Sequence, residues 1–194
     1  ADIAIDEDKT DEAITYLAEI SPDSTAYIES LLVLADLYQS EGLNEAAEAK
    51  LREAFDLAPE ETIIQFALAE FYFATGRYET AIPFYRDLLK AGERRFSGLD
   101  IASRIGVAYA LTGNFANALG YLEQIKDADL TPDVRFQLGM TYAVDPEKVD
   151  KAIDTLEELQ ELDPSYAGLY EPLGQLYEDK NDLEQALITY QAGI

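Results

Sequence analysis

The 194-residue chain carries 39 acidic and 14 basic residues, a formal net charge of −25 at pH 7, and 48% hydrophobic residues. That charge opposes binding to nucleic acid or an anionic membrane and favours a neutral or basic protein partner, while the apolar share suffices for a core. Histidine and cysteine are both absent, which removes the commonest acid–base group, the commonest metal ligand, disulfides and thiolate metal sites.

The opening ADIAIDEDKT has neither a basic head nor an apolar core, so it does not read as a signal peptide, and a cytoplasmic location is expected. No apolar run approaches the ~18 residues of a membrane span. Residues 10–20 match a second helix of a repeated pair, since Ala13 and Leu17 stand in the same register as Ala47 and Leu51. Ser21-Pro22 breaks that helix, and residues 1–5 read as the tail of a preceding one.

From residue 28 one constellation recurs. Leu34-Ala35, Tyr38, Ala47, Leu51, Ala54 and Pro59 form its first copy; Leu68-Ala69, Tyr72, Ala81 and Tyr85 its second. Ile105-Gly106, Tyr109, Ala118 and Leu122 follow. Leu138-Gly139, Tyr142, Ala152, Leu156 and Pro164 come next, and then Leu173-Gly174, Tyr177, Ala186 and Tyr190. The tyrosines are 34, 37, 33 and 35 residues apart, a period that marks stacked repeats.

Within the first copy, Ile28, Leu31, Leu32, Leu34, Ala35 and Tyr38 show helical spacing, Glu41-Gly42 forms the turn, and Asn44 is expected to cap a helix running through Leu57. The alanine at position 47 must be small because a close helix crossing leaves room for little more than a methyl group. In the second copy Gly76 is the turn, and Pro83 is expected to kink the helix that Arg77 begins. GERRFSG, residues 92–98, lengthens the next connection. Thr112-Gly113-Asn114 and Asp145-Pro146-Glu147 supply the later turns. Pro172 falls near the start of its helix, where proline costs least. Both ends of the chain cut the pattern, so it is expected to be a fragment of a longer solenoid.

These motifs resemble the tetratricopeptide repeat over essentially the whole chain. The departures are Ala35 and Ala69 in place of glycine, and Glu93 and Leu130 where a closing proline is usual. The resemblance implies an all-α fold, an α-solenoid of antiparallel helix pairs stacked in a right-handed superhelix. It divides residues 1–194 into a partial repeat (1–27), repeats at 28–61, 62–95, 99–131 and 132–166, a loop insertion at 96–98, and a truncated final repeat at 167–194.

It also implies that the first helices line a concave face that holds a partner. Its central positions would be Ile63, Phe66, Glu70, Phe73, Val107, Leu111, Phe136 and Met140, with Glu171 and Glu178 at one end and Glu29 and Asp36 at the other. The expected function is a protein–protein interaction scaffold binding a peptide or amphipathic helix with basic flanks. The alternative is a structural module that self-associates as a homodimer through exposed apolar or terminal helix faces. Leu32, Val33, Asp36, Phe66, Ala67 and Glu70 replace the basic and amide residues with which some relatives clamp a C-terminal carboxylate, so an acidic C-terminal peptide is a poor fit.

Arg77, Arg86, Lys90, Arg94, Arg95 and Arg104 cluster in a short stretch and read as a solvated edge, with an acidic-partner contact as the alternative. No Gly-x-Ser-x-Gly, phosphate-cradling glycine loop or histidine base occurs. Asp6-Glu7-Asp8 lacks the spaced loop of a calcium site, and Glu157-Glu158 reads as a solvated face. No enzyme activity, catalytic residue, cofactor or metal is therefore expected.

Overall fold

The computed structural model, which describes residues 7–92 and 98–194, turns each periodic stretch into a helix. These are α1 (Glu7–Ala18), α2 (Tyr27–Ser40), α3 (Asn44–Leu57), α4 (Thr62–Ala74), α5 (Tyr78–Ala91), α6 (Gly98–Leu111), α7 (Phe115–Leu122), α8 (Pro132–Ala143), α9 (Val149–Leu162), α10 (Tyr170–Asp179) and α11 (Leu183–Ala192). Short 3₁₀ turns lie at Asp127–Asp129 and Pro146–Lys148, and no strand occurs among the described residues.

The helices group into two compact units that divide between residues 93 and 94. In the first, α2 pairs with α3 and α4 with α5, while α1 packs on α2 and α3 on α4. In the second, α6 pairs with α7, α8 with α9 and α10 with α11, while α7 meets α8 and α9 meets α10. Each unit is thus all-α, a stack of helix–turn–helix repeats of the solenoid kind.

The pairs close where the side chains are smallest. Ala47, Ala81, Ala118 and Ala152 are fully buried and Ala186 nearly so. Across the crossing stand Ala35, Ala69, Gly106, Gly139 and Gly174, all buried. A methyl added at Gly106 would sit 2.6 Å from Cδ2 of Leu122, and one at Gly139 would sit 2.7 Å from Cδ2 of Leu156. The large residue on the second helix therefore occupies the space that the missing side chain leaves.

The turns are set by left-handed residues four places after each repeat tyrosine. Gly42, Gly76 and Gly113 have φ of 74°, 74° and 77°, and Asn181 takes the same role in the last pair at 59°. The next amide then reaches back to the tyrosine carbonyl: Leu43 to Tyr38, Arg77 to Tyr72, Asn114 to Tyr109 and Asp182 to Tyr177, at 2.7–2.8 Å. This closes the orphan carbonyls of the helix end. The α8–α9 connection instead uses the 3₁₀ turn, where the side chain of Asp145 accepts from the amide of Glu147 at 3.0 Å.

The same tyrosines fasten one pair to the one before it. The Tyr72 hydroxyl donates to Glu48 of α3 at 3.2 Å, Tyr142 to Glu123 just past α7 at 3.0 Å, and Tyr177 to Glu157 of α9. Burial, followed by the hydrogen bond that it donates to Glu123, pushes the Tyr142 hydroxyl up to about 12. Tyr177 is shifted upward for the same reasons.

Several expectations need correction. Asn44 lies inside α3; Leu43 holds the cap position, and no side chain caps that end. Pro83 lies inside α5, as the sequence places it, and does not end the helix: α5 is continuous from Tyr78 to Ala91, and the proline is exposed, on a face where water can satisfy the carbonyl it leaves without a donor. Gly98 opens α6 rather than closing the preceding loop. The rest of that loop (residues 93–97) and the helix tail expected at residues 1–5 lie outside the described residues.

Two outcomes follow for equilibrium unfolding. Gly139→Val should lose about 1–3 kcal/mol by overpacking against Leu156, whereas Gly120→Ala, in α7 with open space around the new methyl, should gain up to about 1 kcal/mol from helix propensity. Because the Tyr142 pKa in the folded chain lies above the ~10 of an unfolded tyrosine, its contribution is complete below that pH and is lost as pH rises through the folded value. Urea unfolding between pH 9 and about 12 should therefore show a steeper loss in the wild type than in Tyr142→Phe. The variant should also lose about 0.5–1.5 kcal/mol at neutral pH.

Candidate partner-binding faces

In the first unit α4 carries four of the expected groove residues. Ile63, Phe66, Glu70 and Phe73 are all half-buried, a consequence of helical spacing that keeps Ile64, Leu68, Phe71 and Tyr72 in the core. Phe73 is engaged within the unit, edge-on to Tyr78 at 5.2 Å and to Tyr85 at 6.3 Å. Glu70 accepts a hydrogen bond from the Tyr85 hydroxyl. Part of this face therefore holds α4 to α5.

In the second unit the expected residues divide three ways. Val107, Phe136 and Met140 are half-buried and pack against the hydrophobic core, and the Phe136 ring lies 5.2 Å from that of Tyr166. Leu111, at the end of α6, is 45% exposed. Glu171 and Glu178 on α10 are exposed.

Val144, just past α8, is a further open apolar residue at 52%. Leu111 and Val144 occupy the same place on helices α6 and α8, which pack against each other. Ala143, the chain neighbour of Val144, lines a cavity of about 500 Å³ together with Pro146, Glu147, Val149, Asp150, Asp179 and Lys180. In the sequence its Pro146 and Glu147 read only as a turn; the extra residue in that turn is the one signal that pointed there.

The basic stretch is partly used internally. Arg77 pairs with Glu48 at 2.7 Å and lies over the rings of Phe71 and Tyr72, 5.1 and 4.7 Å from their centroids. Its partner Glu48 also takes Arg52 at 2.8 Å, and these bonds hold its carboxyl below the usual range even though burial opposes the shift. Lys90 pairs with Asp87 at 2.9 Å. Arg94 and Arg95 lie outside the described residues.

Among the described residues no group of three or more acidic, histidine or cysteine side chains is arranged to hold a metal ion. No helix among them is long and apolar enough to cross a membrane.

This geometry has counterparts among known proteins. A family model described as YpiA-like tetratricopeptide repeats matches residues 39–93. Over all 194 residues the chain is 37% identical to the TPR repeat-containing protein YpiA of Bacillus subtilis (strain 168), covering 100% of this chain and 45% of that protein. The chain thus spans less than half the length of that curated relative.

Among solved structures it resembles YrrB, described as a TPR protein with an unusual peptide-binding site, at 23% identity and a TM-score of 0.65, with 95% of this chain and 90% of that one covered. It also resembles a tetratricopeptide repeat protein from Parabacteroides merdae at 18% identity and a TM-score of 0.76, with 96% and 73% covered. Five in-phase copies of the motif, crossings closed by alanine and glycine, and these likenesses converge: the chain matches the tetratricopeptide-repeat family and has its fold.

Proposed function

We propose that this chain is a non-catalytic scaffold that binds a protein segment on the faces of its first helices, and that the segment is an amphipathic helix with basic flanks. The observation that carries this is the pairing of open apolar residues, Leu111 and Val144, with exposed acids, Glu171 and Glu178, within one unit. Apolar anchors in a groove supply affinity to an amphipathic helix, and acids at its edge select basic flanks and speed encounter.

Phe136 and Met140 form the floor of that surface and Val107 its wall, while Ile63, Phe66, Glu70 and Phe73 offer a second such surface on α4. A net charge of −25 discourages acidic ligands throughout. Since YrrB is described as having an unusual peptide-binding site, a peptide is a reasonable ligand class for this fold as well.

A fluorescent leucine–lysine amphipathic peptide tests this by anisotropy at physiological salt, against a scrambled peptide of the same composition. The amphipathic form should bind at least about tenfold more tightly, and Leu111→Asn with Val144→Asn should remove about 1–2 kcal/mol of that binding. Glu171→Gln with Glu178→Gln should weaken binding mainly at low salt. Equal binding of the two peptides, or an asparagine variant that binds like wild type, would sink the proposal.

A further inference from the structure

The cavity of about 500 Å³ in the second unit is shared by two consecutive pairs, with Pro146, Glu147, Val149 and Asp150 from the α8–α9 side and Asp179 and Lys180 from the α10–α11 side. Its origin is local. The other turns within pairs close on a left-handed glycine or asparagine, whereas the chain between α8 and α9 passes through the 3₁₀ turn Pro146–Lys148. That turn puts Pro146 and Glu147 on the cavity wall.

The walls combine two chemistries. Ala143, Pro146 and Val149 are apolar, while three acids face one base, Lys180. Lys180 shows what such a wall accepts: its ammonium pairs with Asp150 at 2.5 Å, and that hydrogen bond raises its pKa above the usual lysine value. The pair satisfies Asp150. Asp179 accepts only from the neutral Gln175, at 3.2 Å, and Lys148, the neighbour of Glu147 in the chain, pairs with Asp145 instead. Glu147 and Asp179 therefore have no cation partner among the described residues. Ala143 and Asp179 also end α8 and α10, so two helix C-termini add partial negative charge at this place. No group of acids among the described residues is arranged to hold a metal ion. Dispersed carboxylates beside apolar walls suit a long cationic side chain, whose methylenes cover the walls while its head meets the acids.

We propose that this cavity is a specificity pocket for an arginine side chain of the bound segment, its guanidinium received by Glu147 and Asp179 and its stem by Pro146 and Val149. The assignment rests on the reading of the first-helix faces as a peptide surface, and it narrows that reading. Ala143 links the pocket to Val144, so the ligand carries its arginine next to the apolar residue that covers Val144. A planar guanidinium can serve two carboxylates at once, which favours arginine over the point charge of lysine.

The probe is a fluorescent leucine–arginine amphipathic peptide, compared at high salt with its citrulline counterpart, which keeps the shape and loses the charge. The wild type should bind the arginine form about three- to fivefold more tightly, with a lysine version between the two. Glu147→Gln with Asp179→Asn should bring that ratio close to one without moving the thermal midpoint, since both side chains are exposed. Asp154→Asn with Glu161→Gln removes the same charge from the exposed side of α9, outside the cavity, and should leave the ratio in place. An unchanged ratio in the Glu147–Asp179 variant, or an equal loss in the α9 variant, would overturn the pocket while leaving the peptide surface standing. If neither peptide binds the wild type, both readings fall. Saturable calcium binding that Glu147→Gln with Asp179→Asn abolishes would also overturn the assignment, because a metal ion would then be the occupant.

Discussion

Every helix pair here depends on the close approach of two backbones at a point where neither can carry a large side chain. Ala47, Ala81, Ala118, Ala152 and Ala186 supply one wall of that crossing, and alanine or glycine supplies the other. Helices that cross so closely must also turn sharply, which is why a left-handed glycine or asparagine follows at nearly every connection. The space left at the glycines is filled by the bulky residue of the second helix, Leu122 or Leu156, whose burial contributes roughly 1.5–3 kcal/mol each. Small and large residues are two halves of one packing solution. Where alanine replaces glycine, at Ala35 and Ala69, the site is still almost fully buried, so the crossing accepts a methyl in the first unit.

The repeat tyrosine links this local geometry to the stacking of pairs. Its carbonyl closes the turn of its own pair, and its hydroxyl reaches a carboxylate of the preceding one. Phenylalanine could provide the ring and the carbonyl but not the second bond. Tyr109 differs, since its ring stacks on Tyr121 of α7 within its own pair, at 5.9 Å and 28°. One residue type at one register thus determines both how a hairpin closes and where the next one lies.

What could be read from the sequence follows from that arrangement. Helix spans, turns and small residues recur at a fixed period, so each copy corroborates the others; α3 ends at Leu57 and α8 begins at Pro132 as spacing requires. The candidate surface was only partly legible. Spacing placed Leu111 and Phe136 on first helices but could not reveal that Phe136 leans on Tyr166 while Leu111 stays open. Asn44 misled because a capping residue type next to a helix start does not fix the helical register. Arg135 gave no signal at all. It is 3% exposed, yet it pairs with Asp127 at 2.6 Å and Glu158 at 2.5 Å and donates to the Asp127 carbonyl at 3.0 Å, while its Nε finds no protein acceptor. Its partners sit on a 3₁₀ turn and on α9, elements that only the folded chain brings together. A guanidinium buried this deeply costs several kcal/mol to desolvate, so its two acids offset a penalty rather than add a surplus. The two pairs tie α8 to the 3₁₀ turn on one side and to α9 on the other.

In a stack of similar pairs, residues shared by every copy build the fold, and residues that differ carry what is particular to the protein. Leu111 and Val144 follow this division, standing where α2 ends in Ser40 and the last pair has Asp179.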